Sequence, residues 1–329
     1  MILRASLVLT ALCLPGALRA ADATPEIGTF TFDCPTDEKD GVAERFRIPA
    51  CAFDYKLSLR HDLKATGVKV YDLTFPSPVK TAVPENNTVH CELFLPAGGG
   101  KGPIPAAVVL DILQGNALIA RGQCMWLAQH GVAGMVVYMA HYGPRRPPGS
   151  ANRLISTNVT KSVEGVKQTV LDVRCAVAWL ASRPAQFDAK NLGLVGTSLG
   201  SLVGAVVAAN EPRLTNVCLL LPGGGLVDAY YNHPKAEPYR PLVDLLGGKF
   251  TLKLLIGPVD PITYAKQLKG KNLLMLCASR DDIVPPAAAK ALWAATGKQK
   301  IVWYDATHVG VAWFLMPVLT EMTAHVRGK

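Results

Sequence analysis

The stretch Gly196-Thr197-Ser198-Leu199-Gly200 constrains the fold more than any other part of the chain. Before it, Leu192, Leu194 and Val195 make a short apolar run with no polar interruption, the pattern of a strand covered on both faces in a parallel sheet. After it, Leu199 to Ala209 carries Leu202, Val203, Ala205, Val206, Ala208 and Ala209, which suit a helix buried against that sheet. A strand that turns at once into a helix brings two backbones together, and only small flanking residues allow this. The pattern G-x-S-x-G fits a nucleophile elbow, with the Ser198 hydroxyl standing clear of the sheet. The plainer reading is a glycine-rich turn that holds a serine by chance. The strand before, the helix after, and downstream partners in the order Ser, Asp, His favour the elbow.

Half of the 329 residues are apolar and 18% are charged, enough to bury a large core in one open α/β domain. The net charge of +9 comes from 34 basic and 25 acidic residues scattered along the chain. The pair Arg145-Arg146 is flanked by proline and glycine, not by stacking aromatics, so nucleic-acid binding gains no support. Met1 to Ala23 reads as a secretory signal peptide: Arg4, an apolar run from Ala5 to Leu14, the breaker Pro15-Gly16, then small residues that allow cleavage after Ala20 or Ala23. No later stretch is a continuous apolar span, so the expected mature protein is secreted or periplasmic. Of the eight cysteines, Cys13 leaves with the signal, and Cys34 and Cys51 in the polar arm are the expected bridge. Cys218 and Cys277 fall in apolar strands and Cys124 and Cys175 in helices, as buried free thiols do. No CxxC or His-x-x-x-His spacing accompanies them, so no metal is expected, and a serine nucleophile with its base needs no organic cofactor.

The domain organisation expected is a signal over 1–23 and one domain over 24–329, with an irregular N-terminal arm over about 24–54 and a cap insertion over about 223–268. Antiparallel strands are expected near Tyr55 to Leu59, Val68 to Phe75 and Val89 to Leu95, and a β, α, β rhythm from Pro105 onward. The rigid loop Tyr142 to Gly149 leaves a strand at the edge where open α/β sheets hold ligands, so His141, Tyr142 and Arg145 are candidate pocket residues, with solvent-facing arginines the alternative. The aromatics Tyr230, Tyr231, His233 and Tyr239 in the cap are candidate substrate contacts.

A serine hydroxyl needs a base in reach, and the base needs a partner that holds its tautomer. His308 follows the last strand, Asp281 follows the strand before it, and both loops leave the same edge as Ser198. His61 and His90 precede the α/β repeat, His130 ends a helix and His325 sits in a final turn expected to fray, while His141 and His233 remain pocket alternatives. Asp228 is the reserve acid, and Asp282 reads as a solvated charge.

From about Ile104 to the C-terminus, Gly196-Thr-Ser198-Leu-Gly200, the helix Asp172 to Leu180, Asp281-Asp-Ile-Val-Pro285 and His308 resemble the α/β-hydrolase superfamily, nearest its dienelactone-hydrolase and acetyl-xylan-esterase-like branch. The resemblance implies a mostly parallel twisted sheet with helices on both faces and a small cap. It implies Ser198, His308 and Asp281 as the triad, the choice of Asp281 resting on its four-residue distance from Pro285 (285 − 281 = 4). Many relatives carry His-Gly after the first strand, where this chain has Asp111-Ile-Leu-Gln-Gly115. The oxyanion donors expected are therefore Leu199 and either Leu113 or Ile112. The function expected is hydrolysis of a carboxylic ester on a small molecule or carbohydrate through an acyl-serine. A peptidase or acyltransferase using the same triad, or a non-catalytic binding protein of this fold, are the alternatives.

Overall fold

The computed structural model describes residues 24–98, 102–114, 116–231, 233–245 and 247–328. The expected signal peptide, with both cleavage points, lies outside them. Ten strands make one sheet: β1 (Glu26–Phe32), β2 (Cys51–Leu63), β3 (Val68–Pro76), β4 (Thr88–Pro96), β5 (Ile104–Leu110), β6 (Ala133–Val137), β7 (Phe187–Thr197), β8 (Leu214–Leu220), β9 (Asn272–Ala278) and β10 (Lys300–Tyr304). Their order is β1-β2-β3-β4-β6-β5-β7-β8-β9-β10. Pairing is antiparallel from β1 to β4 and between β4 and β6, then parallel to β10.

Parallel neighbours need crossovers, and helices supply them: α1 (Leu118–Gln129), α2 (Val159–Ala181) and α3 (Leu199–Ala209). The bounds of α3 agree with those read from the sequence. In α2 the Asn158 side chain caps the helix by accepting from Lys161 N–H at 3.0 Å, and Val163, Val166, Val170, Val173 and Val177 form its buried stripe. With helices on both sides, Ala106 to Leu110 of β5 are all buried, hence their unbroken apolar run. Residues expected to form an irregular cap instead make short helices, α4 (Leu226–Tyr231), α5 (Arg240–Leu245), α6 (Gly248–Ile256) and α7 (Ala265–Leu268), before α8 (Pro286–Ala295) and α9 (Leu315–Val326).

The N-terminal arm is more regular than its prolines suggest. All seven residues of β1 pair with β2, and buried Arg174 of α2 ties the following turn down: Nη2 donates to Asp37 at 2.6 Å, Nη1 to the Phe46 carbonyl, and Nε to Glu211 at 3.2 Å. Cys34 and Cys51 are free thiols, contrary to the expected bridge. The β1–β2 register sets Phe32 opposite Cys51, so Cys34 lies two residues beyond that partner. His325 is not frayed either: it is buried, and its Nε2 lies 2.9 Å from the Asn272 carbonyl and 3.1 Å from that of Val217.

The antiparallel half is fastened to α1 through buried Glu92. Its carboxylate accepts from Arg121 Nε at 2.7 Å, Arg60 Nη1 at 2.8 Å and the Tyr138 hydroxyl at 2.7 Å. Burial alone would raise its pKa, but these hydrogen bonds outweigh burial and hold it down at about 2. A depressed carboxylate contributes stability that is complete above its unfolded pKa and lost as pH falls through the folded value. Unfolding free energy measured by urea titration is therefore expected to decline between pH ~4.5 and ~2, and Glu92→Gln to flatten that slope while lowering stability at neutral pH.

Candidate active site

In the strand order, β6 lies on one side of β5 and β7 on the other, so the chain changes direction at β5 and a crevice opens beyond the C-terminal ends of β5 and β7. Backbone strain collects there. Among the described residues six non-glycine residues have positive φ, and five follow the central strands: Gln114 and Ala117 after β5, His141 after β6, Ser198 after β7 and Leu221 after β8. Such conformations cost about 1–3 kcal/mol each and persist where the surroundings hold them.

At the elbow, Ser198 has φ 53° and ψ −115°. Its N–H donates to the Leu220 carbonyl at 2.9 Å, and the Ser201 hydroxyl donates to the Ser198 carbonyl at 2.6 Å. A Cβ at Gly196 would run into the Gly200 carbonyl, and one at Gly200 into the Leu110 carbonyl. Gly196 is thus required by the turn itself, and Gly200 by the close approach of the end of β5. Gln123 of α1 donates to the Thr197 hydroxyl at 3.0 Å and joins the elbow to the neighbouring helix.

His308 Nε2 lies 2.9 Å from Ser198 Oγ, and its Nδ1 lies 2.9 and 2.8 Å from the two Asp281 oxygens. Asp281 Oδ1 also accepts from the N–H groups of Ile283 at 2.8 Å and Val284 at 2.7 Å, which orients the carboxylate toward the imidazole. The other acids stand elsewhere. Asp228 is exposed and ion-paired with Lys249 and Lys253, each at 2.7 Å, and Asp282 is exposed. Tyr230, a candidate substrate contact, covers the acid loop: its hydroxyl donates to the Ile283 carbonyl, and burial together with the negative charge of Asp281 pushes its pKa up to about 12.

Across the crevice, buried Asp111 accepts from the N–H groups of Ala117 at 2.8 Å and Ala120 at 3.3 Å, capping α1. Burial raises its pKa, while the Ile112 N–H also turns to this carboxylate. The Gln114 N–H donates to the Tyr142 hydroxyl at 2.9 Å. With Gln114 so engaged, Leu113 and Ile112 are the two amides of this turn that no hydrogen bond among the described residues takes up. Leu199 opens α3, and the first amides of a helix have no partner within it.

The turn owes its shape to the loop after β6. Of the residues proposed to border a pocket, His141 and Tyr142 do line a cavity, but Arg145 neither lines it nor faces solvent. Arg145 is fully buried: Nη2 pairs with Asp172 at 2.7 Å and donates to the Asn86 carbonyl at 2.8 Å, while Nη1 donates to the Tyr138 carbonyl at 2.9 Å. Ser77 donates to the same Asp172 at 2.6 Å. A buried charge of this kind needs its partner, which explains the aspartate at this point of α2. The Tyr142 hydroxyl is a site feature that sequence reasoning missed, because nothing local signals an amide 28 residues away. Tyr142→Phe is expected to lower kcat about ten-fold with little change in KM, since it frees the Gln114 N–H in the turn where an oxyanion donor is expected; steady-state kinetics would check it. Among the described residues, no group of three or more histidine, cysteine or acidic side chains is placed to hold a metal ion.

Fold and site together define an α/β-hydrolase: a mostly parallel sheet with a strand–serine–helix elbow and a Ser, His, Asp chain of hydrogen bonds at the switch point. The chain belongs to the family described as alpha/beta hydrolase domain containing 18, whose model matches residues 41–226, over half its length. That match includes Ser198 and ends before Asp281 and His308. Solved structures share the fold. An acetyl xylan esterase from Paenibacillus sp. R4 superposes with a TM-score of 0.64 at 18% identity, over 82% of this chain and 88% of that one. Acetyl xylan esterase 1 from Thermoanaerobacterium sp. JW/SL YS485 gives 0.62 at 17%, over 91% and 89%. A putative dienelactone hydrolase from Klebsiella pneumoniae subsp. pneumoniae MGH 78578 gives 0.51 at 20%, over 79% and 99%. No curated protein sequence matches the chain significantly.

Proposed function

We propose that the protein is a serine hydrolase that cleaves a carboxylic ester through an acyl-serine intermediate. The observation that carries this reading is the relay from Asp281 through His308 to Ser198, with 2.8 and 2.9 Å hydrogen bonds at its two ends. Ser198 Oγ attacks the ester carbonyl while His308 Nε2 takes its proton. The oxyanion that forms is held by the N–H groups of Leu199 and Leu113, the latter next to the Gln114 amide that the Tyr142 hydroxyl fixes. His308 passes the proton to the departing alcohol, leaving the acyl group on Ser198. Water then gives a proton to His308 and attacks the acyl carbon; the acid departs and Ser198 recovers its proton. Asp281, fixed by two backbone amides, keeps Nδ1 protonated and balances the imidazolium.

Ester hydrolysis is favoured over the peptidase and acyltransferase readings because the structural neighbours include two proteins described as acetyl xylan esterases, which makes a small-molecule or carbohydrate ester the preferred substrate. A fluorophosphonate probe should label Ser198 alone, and a panel of acyl esters should be hydrolysed where peptide amides are not. A protein that neither reacts with the probe nor turns over any ester would be a binder of this fold. We also propose export, on the apolar run and small residues of 1–23. Sequencing of the mature N-terminus should then begin at Ala21 or Thr24, and a retained Met1 in exported material would refute this.

A further inference from the structure

We infer that Asp111 is a positioning residue for this reaction: beyond capping α1, its carboxylate holds the turn between β5 and α1 in the shape that offers the Leu113 amide to the oxyanion. This rests on the hydrolase reading above. The β5–β7 register sets Leu110 opposite Gly196, so Asp111 and the turn on one strand leave the sheet as neighbours of Thr197 and Ser198 on the other. The approach is close. A Cβ on Gly200 would lie 2.6 Å from the Asp111 carbonyl, which sets the end of β5 against the first turn of α3, where Leu199 stands.

The turn cannot hold this shape by its own residues. Gln114 at φ 54° and Ala117 at φ 65° are both left-handed without being glycine, a conformation that persists only where the surroundings impose it. Ala117 also occupies the cap position of α1, and alanine has no side-chain acceptor for the first amides of a helix. Asp111 supplies the acceptors from the end of β5. Its Oδ2 takes the Ala117 N–H at 2.8 Å and its Oδ1 the Ala120 N–H at 3.3 Å, the two donors that a capping box satisfies with two separate side chains. An ionised carboxylate accepts at both oxygens, whereas an amide would turn its NH₂ toward one of these N–H groups. The nearby Arg121 guanidinium is engaged by Glu92 instead, through Nε at 2.7 Å and Nη2 at 2.6 Å, which leaves both Asp111 oxygens to the backbone. Tyr142 fixes the middle of the turn at Gln114, and Asp111 fixes its end. One helical turn further along α1, Gln123 donates to the Thr197 hydroxyl at 3.0 Å, so the helix that Asp111 anchors is fastened to the residue before the nucleophile. Such precision matters because a reacting group displaced by about 1 Å can lose on the order of 10²-fold in rate.

Asp111→Asn tests this, with para-nitrophenyl acetate as substrate and trifluoroacetophenone as a probe of the oxyanion position. The ketone adds to Ser198 Oγ, its oxygen becoming the oxyanion as the proton passes to His308. Rates are expressed per serine titrated by the fluorophosphonate, so misfolded protein does not count. For Asp111→Asn, kcat is expected to fall about 10²-fold with KM within about two-fold of wild type, and the ketone to bind more weakly by a similar factor. A lost helix cap alone would lower the melting temperature and leave both readouts in place. The double variant Asp111→Asn, Ala117→Gly puts a residue suited to the left-handed cap at 117; it is expected to recover melting temperature without recovering kcat, and it carries the comparison if Asp111→Asn alone does not fold. An unchanged kcat per titrated serine, a fall in kcat with undiminished ketone binding, or recovery of kcat together with melting temperature in the double variant overturns the inference while the hydrolase reading stands. If the wild type cleaves no ester and the fluorophosphonate leaves Ser198 unlabelled, the hydrolase reading falls, and this inference with it.

Discussion

Ser198→Ala and His308→Ala are each expected to lower kcat for ester hydrolysis by about 10⁶-fold, and the double substitution to cost little more than either alone. The two side chains form one device. At 2.9 Å from Nε2, Oγ can lose its proton only as it attacks, so a serine without the base and a base without the serine are about equally inert. The fold should survive both changes. The Ser198 N–H bond to Leu220 and the Ser201 bond to the Ser198 carbonyl use the backbone of the elbow, which alanine keeps. Circular dichroism and denaturant melts close to wild type, beside lost turnover, would be the supporting result. Activity retained in either single variant, or losses that multiply in the double variant, would sink the assignment.

Asp281→Asn is expected to lower turnover by about 10⁴-fold, with Asp282→Asn and Asp228→Asn close to wild type. Asparagine keeps an oxygen for the N–H groups of Ile283 and Val284, so the acid loop should hold its shape. What changes is the partner of Nδ1: the amide no longer balances an imidazolium and can present its NH₂, which favours the wrong tautomer for accepting the Ser198 proton. Asp228 cannot substitute, being exposed and committed to Lys249 and Lys253. Comparison of kcat for the three variants on one ester decides the matter. Near-normal turnover in Asp281→Asn together with loss in Asp282→Asn would show that the acid had been misassigned.

The elbow, the helices after β5 and β7 and the three members of the relay were legible in the sequence because each announces itself locally. Gly196 is set by the clash that a Cβ would cause with the Gly200 carbonyl four residues on, and the apolar run of β7 by burial on both faces, while the G-x-S-x-G pattern carries Gly200, whose own clash is with the distant end of β5. Asp281 and His308 follow consecutive strands of a parallel sheet, and parallel strands end at one edge, so order along the chain was enough to bring them together. Other features depend on partners distant in sequence. Arg145 and Arg146 are adjacent and alike in composition, yet one is buried against Asp172 and the other lines an open cavity; only the packing of α2 beneath the loop distinguishes them. Likewise Cys34 and Cys51 share a polar arm, but the β1–β2 register gives Cys51 a different neighbour. Sequence by itself determined the elements and the reactive groups, since these follow from local sterics and hydrophobic period. The tertiary structure alone decided that the Gln114 N–H is taken by the Tyr142 hydroxyl, and which of Arg145 and Arg146 is buried against an acid, because long-range hydrogen bonds and buried ion pairs leave no trace in local pattern.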